Sequence, residues 1–455
     1  MSKRKLLWIV GVLVAVNFLV GIHVLGKLSE SENEDAALAE LSLIPHAMSI
    51  IRNNYVDPVD TETLVHGALR GMLDSLDLHS QFMDISDVQN MEVDTSGTFG
   101  GLGIEITKRK GFVTVVSPIV GTPAYKKGLM SGDRIVKIDD ETLHNPDLSE
   151  VVLKLRGEPG TKVTITILRG QGTLKAFTLT RAIIKVPSIV ESNILQDSIG
   201  YVKVTQFQER TPSELQEALE DLKAQGMDSL ILDLRDNPGG LLVSAVKVAD
   251  MFIPGGHTIV STQGRRASQN QKYVSEAFHY QWPMAVLINN ASASGSEIVA
   301  GAIKDLKRGV IVGDTSYGKG SVQTILRLGR GLALRLTTAK YYTPNGESIQ
   351  DKGVEPDVIV KVTYEQEMQR RMQKYKKMEE VLGEEQGEKP QEKTEKPSVE
   401  PEKPSVSDEE LGEVTGAKPE QEYVDEQLQR AIDALKVLKA VGADKVFALG
   451  PGNAA

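Results

Sequence analysis

Three serines fall within five positions in the stretch NNASASGSEIVAG: Ser292, Ser294 and Ser296, just ahead of Glu297 and an apolar run. A serine hydroxyl attacks a carbonyl only if a base takes its proton. Ser294 is the best placed of the three, because the strand-like run MAVLINN precedes it and the helix-like run SEIVAGAIKDL follows it. That puts it at a strand-to-helix turn, where helix-start N–H groups favour negative charge and can hold a developing oxyanion. The same letters have a plainer meaning. Ser294-x-x-Glu297 is a capping-box pattern, in which the Ser294 hydroxyl accepts from the Glu297 N–H.

The base is not a near neighbour. No histidine lies within ten residues of Ser294: His23 is in the membrane-like run, His46, His66 and His79 precede the core, and His144 sits in the β-rich segment. Only His257 and His279 reach the turn by folding back, so a Ser-His pair is disfavoured. The loop GDTSYGKGSVQ offers Lys319 between Gly318 and Gly320. Gly313-x-x-x-x-Gly318-Lys319 nearly spells a phosphate loop, but Gly320 stands where Ser or Thr should hold magnesium, and SVQTILRL reads as strand, not helix. A solvated loop lysine is the bland reading. The chemical one is a Ser-Lys dyad, with glycines that let the backbone bend and with Gln323 orienting the amine. A lysine base must be neutral at working pH. From a free value near 10.4, that requires roughly three pH units, on the order of 4 kcal/mol of desolvation. A further run, LDLRDNPGGLL, ends a buried strand with Gly239 and Gly240. It is either a tight turn or a pair of unobstructed backbone donors for an oxyanion.

Four motifs, DLRDNPGG, NNASASGSEIVAGA, GDTSYGKGSVQ and YYTPNGESIQDKGVEPD, follow one another in this order, with LDLHSQFM at 76–83 and FGGLGIEI at 99–106 ahead of them. Together they resemble the carboxyl-terminal processing (tail-specific) protease family over about residues 40–363. The resemblance implies Ser294 as nucleophile, Lys319 as general base (319 − 294 = 25 residues later) and Gln323 as the residue orienting it. It also implies the N–H groups of Gly240 and Gly295 as the oxyanion hole, and no metal or organic cofactor. Glu297 matches a family position that capping explains equally well. Gly295 stands where the family usually has Ala, and Leu78 where it usually has Pro. The implied fold is α/β: a Clp protease/crotonase-like core with an inserted β-rich PDZ domain and an N-terminal helical region.

In the PDZ-like segment, Gly100, Gly101, Leu102 and Gly103 would form the carboxylate-binding loop, with Ile104 opening the strand that pairs with a substrate tail. Arg156, in LKLRGEPG, is either a gating contact, as the resemblance suggests, or a charge capping the end of its helix. The resemblance implies protein substrates with apolar, unstructured C-termini and pairing of two copies through the N-terminal helices; an adaptor protein docking on the tail after residue 364 is a further partner expectation. The competing class is a non-catalytic PDZ scaffold at the membrane, which has no use for Lys319. A more distant rival is an acyl-CoA enzyme built on paired glycine donors.

The elements that must position these residues follow from the rest of the chain. It has 455 residues, 40% hydrophobic and 25% charged, a net charge of −10 and no Cys. Two or three domains are expected. The acidic balance gives no support to a nucleic-acid partner, and thiolate chemistry and disulfides are excluded. Lys3, Arg4 and Lys5 precede the uncharged run 6–25, which is long enough to cross a bilayer. It reads as a signal anchor over 1–28, with the catalytic part on the periplasmic or extracellular side of the cytoplasmic membrane; a cleaved signal peptide is the competitor. Residues 29–91 read as helical, 92–182 as the PDZ domain and 183–363 as the βαβα protease core. Residues 364–423 form a Glu-, Lys- and Pro-rich linker, and 424–455 a helix and tail. Thr211, Pro212 and Glu214 predict a capping box at the start of the helix TPSELQEALEDLKAQG.

Overall fold

The runs SLILD (Ser229–Asp233) and MAVLI (Met284–Ile288) are buried at every position, as strands covered on both faces must be. In the computed structural model, which describes residues 39–109, 111–170, 172–276, 280–363, 365–366, 368–370 and 424–441, both lie in the middle of one sheet. The spatial order is Ile189–Ile194, Ile199–Val204, Ser229–Asp233, Met284–Ile288, Val310–Gly313 and Val358–Ile359. The first strand is antiparallel to its neighbour, and the other pairs are parallel. Helices Thr211–Ala224, Leu242–Asp250 and Gly295–Asp305 make the crossovers. With strand order following chain order, right-handed crossovers place all three on one face.

Side chains alternate between the two faces. Leu230, Leu232, Val286 and Ile288 join the crossover helices through Leu215, Leu219, Val248, Val299 and Ile303. Ile231, Ala285, Leu287 and Val312 point the other way, onto Ala431, Ile432 and Leu435 of the helix Glu426–Val441. Fully burying a residue of the Leu or Ile type contributes about 1.5–3 kcal/mol, so both faces contribute to holding the sheet. The C-terminal helix, whose role the sequence leaves unread, is therefore the second layer of the core.

Start signals differ from expectation at the helix Thr211–Ala224. Arg210 occupies the cap position, and Thr211 Oγ1 accepts from Gln208 N–H at 2.8 Å. The Glu214 carboxylate accepts from the Ser188 N–H at 2.9 Å and its hydroxyl at 2.8 Å. A tertiary partner has displaced the local capping box.

The PDZ-like part is a five-strand path, Ile104–Arg109, Phe112–Pro118, Arg134–Ile138, Lys162–Arg169 and Thr173–Thr180, with Glu141–Thr142 paired to the third strand. Val113, Val115, Ile135, Ile165 and Ile167 form its core with Val151 and Leu155 of the helix Leu148–Leu155. Asp147 caps that helix, accepting from Ser149 N–H at 2.8 Å. The chain enters along Thr98–Gly101 and leaves along Ala182–Lys185, two strands paired antiparallel. This is the geometry of an insertion.

The described residues from 39 to 85 form a second compact unit with Gln323–Thr337. It contains a helix over 39–54, the helix Thr61–Asp74 capped by Asp60, and the strand Gln81–Met83, which pairs antiparallel with 333–335. Among the described residues no helix is long and apolar enough to cross a membrane. The expected anchor, residues 1–28, lies outside the described residues, as do most of the expected linker 364–423 and the tail after 441.

Candidate active site

Ser294 sits between the buried strand Met284–Ile288 and the helix Gly295–Asp305, with φ 54° and ψ −110°. A non-glycine residue in this region stores strain and persists only where its surroundings over-determine it. The surroundings do so here. The Ser292 hydroxyl donates to Leu234 carbonyl at 2.8 Å and accepts from Asn289 N–H at 2.9 Å. The Ser296 hydroxyl donates to Asn237 carbonyl at 2.9 Å, and Ala293 N–H reaches the same carbonyl at 3.0 Å. The flanking serines, to which sequence reasoning assigns no role, thus stitch the turn to the DLRDNPGG loop.

Glu297 is fully buried, and its carboxylate takes four donors. Oε2 accepts from the N–H groups of Ser294 at 2.7 Å and Lys319 at 2.9 Å. Oε1 accepts from the Ser316 hydroxyl and the Gly318 N–H, each at 2.6 Å. The capping relation read from the sequence is present through the Ser294 N–H, while the Glu297 N–H meets the Ser294 carbonyl at 2.9 Å. What sequence reasoning missed is that the same carboxylate carries the lysine loop. The only local signal was Glu at the third helical position, and that signal was fully explained by capping.

The Gly-Lys-Gly run is not a freely bending segment. Gly318 has φ 93°, and a Cβ there would come 3.0 Å from Gly353 N. A Cβ on Gly320 would come 2.7 Å from Gln350 N. Close backbone approach, not flexibility, requires both glycines. Lys319 is half-buried, and its carbonyl accepts from the Tyr341 hydroxyl. Tyr341, almost wholly buried, also lies beside the Ser294 side chain. Burial, then the Glu297 negative charge, pushes its hydroxyl well above the ordinary range, so it remains a protonated donor. Tyr341 was not singled out from the sequence; it lay inside the YYTPNG motif without a separate signal. The strand Ser321–Gly329, not a helix, follows the loop, which removes the phosphate-loop reading.

Gly239 and Gly240 have φ 100° and 141°. A Cβ on Gly239 would lie 2.7 Å from Ser294 Cβ, and one on Gly240 would lie 2.2 Å from Phe207 carbonyl oxygen. The diglycine is therefore packed directly against the serine turn. Phe207 N–H donates to Gly239 carbonyl and Leu241 N–H to Phe207 carbonyl, both at 2.8 Å. Gly295 is also crowded: a Cβ there would meet Phe207 Cδ2 at 2.9 Å. Gln323 falls in the other compact unit, where its amide donates to Thr337 Oγ1 at 3.4 Å. Nδ1 of His257 lies 2.9 Å from the Pro254 carbonyl, and His279 is outside the described residues.

The PDZ-like part carries a groove of about 210 Å³, lined by Leu102, Gly103, Ile104, Ile106, Val152 and Leu155 among others. Gly101 and Arg156 also reach it, while Gly100 faces the adjoining cleft beside Glu158. Gly103 has φ 75°, and a Cβ there would lie 2.3 Å from Thr122 Cβ. The Arg156 side chain does not cap the last carbonyls of its helix, although its backbone N–H closes the final turn onto Val152 carbonyl at 2.9 Å. Arg181 caps them, donating to the carbonyls of Leu155 at 3.1 Å and Lys154 at 2.7 Å. Arg156 instead reaches Asn90 Oδ1 at 2.7 Å and lies 4.9 Å from the Phe99 ring centre. Among the described residues no group of three or more His, Asp or Glu side chains is placed to hold a metal ion.

A serine strained at a strand-to-helix turn, a lysine loop tied to it and a β-rich peptide-groove insertion define a PDZ-bearing serine peptidase. Residues 198–360 match peptidase family S41, residues 100–180 a PDZ domain, and residues 22–86 the activating protease CtpB N-terminal domain. The chain is 40% identical to a carboxy-terminal-processing protease of Bartonella bacilliformis, over 84% of this chain and 87% of that protein. It is 34% identical to the carboxy-terminal processing protease CtpB of Bacillus subtilis, over 73% of this chain and 69% of that protein. A solved photosystem II D1 C-terminal processing protease is 29% identical with a TM-score of 0.41, covering 70% of this chain and 92% of that one. The chain belongs to the carboxy-terminal processing protease family, and it is a serine peptidase with a PDZ domain.

Proposed function

We propose that Ser294 is the nucleophile and Lys319 the general base of an endopeptidase that recognises its substrates by their C-termini. The observation that carries this reading is the shared carboxylate of Glu297, which holds the backbones of both residues. In the proposed reaction Ser294 Oγ attacks the scissile carbonyl and its proton passes to Lys319 Nζ. The N–H groups of Gly240 and Gly295 hold the oxyanion, for which neither has another acceptor among the described residues. Lys319 then protonates the leaving amine, and water, deprotonated by the lysine, releases the acyl group. Gln323 enters from the sequence resemblance alone.

The PDZ groove is proposed to take an apolar, unstructured substrate C-terminus, its carboxylate on the loop Gly100–Gly103 and its last residues along the strand that Ile104 begins. Arg156 is proposed to gate this groove, since it lies at the rim between Asn90 and Phe99. Just ahead of the entry strand, Thr95 also touches the loop that supports Gly240: its carbonyl accepts from Glu209 N–H at 2.9 Å, two residues from Phe207. The uncharged run 6–25 supports membrane anchoring with the catalytic part exported. Exposed Leu41, Leu43, Ile50 and Tyr55 support pairing with a second copy. An adaptor on the C-terminal tail is a further partner of the proposal.

The test compares wild type with Ser294→Ala and Lys319→Ala on an unfolded protein ending in apolar residues. Wild type cuts and neither variant does. Equal cutting by all three removes the dyad; tail binding without cutting by any of them supports a scaffold.

A further inference from the structure

The peptidase match ends at residue 360, yet a buried residue of the DLRDNPGG loop has its partner far beyond it. Arg235 is 2% exposed. Its Nη2 meets Asp233 Oδ2 at 2.7 Å, and its Nη1 donates to Asp425 Oδ1 at 2.8 Å and Gln427 Oε1 at 3.2 Å. Asp425 immediately precedes the helix Glu426–Val441, and Gln427 lies in its first turn. Gln427 Nε2 in turn donates to Val360 carbonyl at 2.8 Å. At its far end the helix is pinned by Lys439, which meets Asp228 Oδ1 at 2.7 Å.

The next loop residue is held in the same way. Asp236, at φ 62°, pairs with Arg370 and accepts from Asn289 Nδ2 at 3.0 Å. Asn289 Oδ1 accepts from Asp236 N–H at 2.9 Å, and Asn289 directly follows the strand Met284–Ile288 that leads into the Ser294 turn. Asn237 then carries the Ala293 and Ser296 contacts and accepts from Gly239 N–H at 2.9 Å.

We infer that the C-terminal segment supplies positioning residues for catalysis: Asp425 and Gln427 through Arg235, and Arg370 through Asp236, set the loop that presents Gly240 to the reacting carbonyl. The physical reason is that Arg235 cannot be deprotonated. With the helix undocked, its Nη1 loses both acceptors, and the guanidinium must turn toward water or toward Asp233 alone. Either movement starts four residues before Gly239. The catalytic site is therefore complete only when the helix Glu426–Val441 lies on the sheet. This rests on the proposed role of Gly240 as an oxyanion donor.

The test uses full-length enzyme carrying Asp425→Ala, Asp425→Glu or Leu435→Asp, with active sites counted by a serine-reactive fluorophosphonate. Asp425→Ala and Leu435→Asp are expected to lower kcat per titrated site by about tenfold or more with KM little changed. Affinity for a peptide aldehyde, which forms a tetrahedral adduct on serine, falls by a similar factor, and tail-peptide binding to the PDZ groove is unchanged. Asp425→Glu restores most of the loss. If Leu435→Asp or Asp425→Ala does not fold, Gln427→Ala, which leaves the charges intact, is expected to show the same kcat and aldehyde losses in smaller measure. Wild-type kcat and aldehyde affinity in the folded variants, whatever their melting temperatures, overturn the inference. Full activity of Ser294→Ala would instead remove the reading beneath it.

Discussion

The backbone N–H groups of Ser294 and Lys319 donate to one atom, Oε2 of Glu297, at 2.7 and 2.9 Å. Two segments that are 25 residues apart in sequence (319 − 294) are thereby referred to a single buried oxygen. Glu297→Gln keeps the shape but leaves one amide oxygen for donors that now use two, and presents an NH₂ to the rest. Each buried donor left unpaired costs about 1–3 kcal/mol. We expect kcat to fall on the order of 10- to 100-fold, with a lower melting temperature; steady-state kinetics alongside thermal unfolding decide it, and an unchanged kcat would contradict the role.

Gly240→Ala places a methyl group where only 2.2 Å separates it from Phe207 carbonyl oxygen. The loop must shift, and the proposed oxyanion donor shifts with it. Loss of one oxyanion donor typically costs about 10²–10³ in kcat. The expected result is a loss in this range with tail-peptide affinity retained, measured by kinetics and by peptide titration.

The strain at Ser294 makes a stability prediction independent of activity. At φ 54°, Ala keeps the unfavourable backbone and Gly relieves it. Ser294→Gly and Ser294→Ala are both expected to be inactive, with Ser294→Gly the more stable by roughly 1 kcal/mol. A higher melting temperature for the Ala variant would contradict the strain.

Gly103→Ala tests the peptide groove. Its Cβ would lie 2.3 Å from Thr122 Cβ at a φ of 75°, so the loop proposed to hold the carboxylate cannot keep its course. KM for a substrate with an apolar C-terminal tail should rise about tenfold or more, while cleavage of a short peptide too small to reach the groove stays the same. An equal effect on both substrates would place the defect elsewhere.

Stability should depend on acid through Asp233, which is fully buried. Burial alone pushes its carboxyl up, but the charges of Arg235 and Lys203 outweigh this and hold it far below the usual carboxylate range. A depressed folded-state value means stability that is present above the unfolded value, near 3.9, and is lost as pH falls toward the folded one. This group should contribute no pH dependence between about pH 5 and 8 and a falling melting temperature below about pH 4. Thermal scans of wild type and Asp233→Asn check this; an identical acid dependence in the two would exclude Asp233 as its source.

Local signals in the chain carried much of this molecule. Short apolar-centred runs marked Ser229–Asp233 and Met284–Ile288 as central strands, and Pro212 and Gly226 bracketed the helix Thr211–Ala224. Motif order placed Ser294, Lys319 and the diglycine in one reading before any geometry was known. Those signals depend on residues a few positions apart: side-chain periodicity, caps, and the missing Cβ of glycine. What required the tertiary structure depends on groups that chain closure alone brings together. Glu214 could have capped its own helix, but Ser188 claimed it, and Glu297 proved to carry a loop 19 to 22 residues away as well as its own helix start. Arg235 gave no sign of needing Asp425, 190 residues on, because a buried charge finds its partner through the packing of a whole sheet face. The sequence by itself determined which residues could react and which segments would be strand or helix; only the folded chain decided which oxygen holds the serine and the lysine together, since that choice is made by burial and not by spacing.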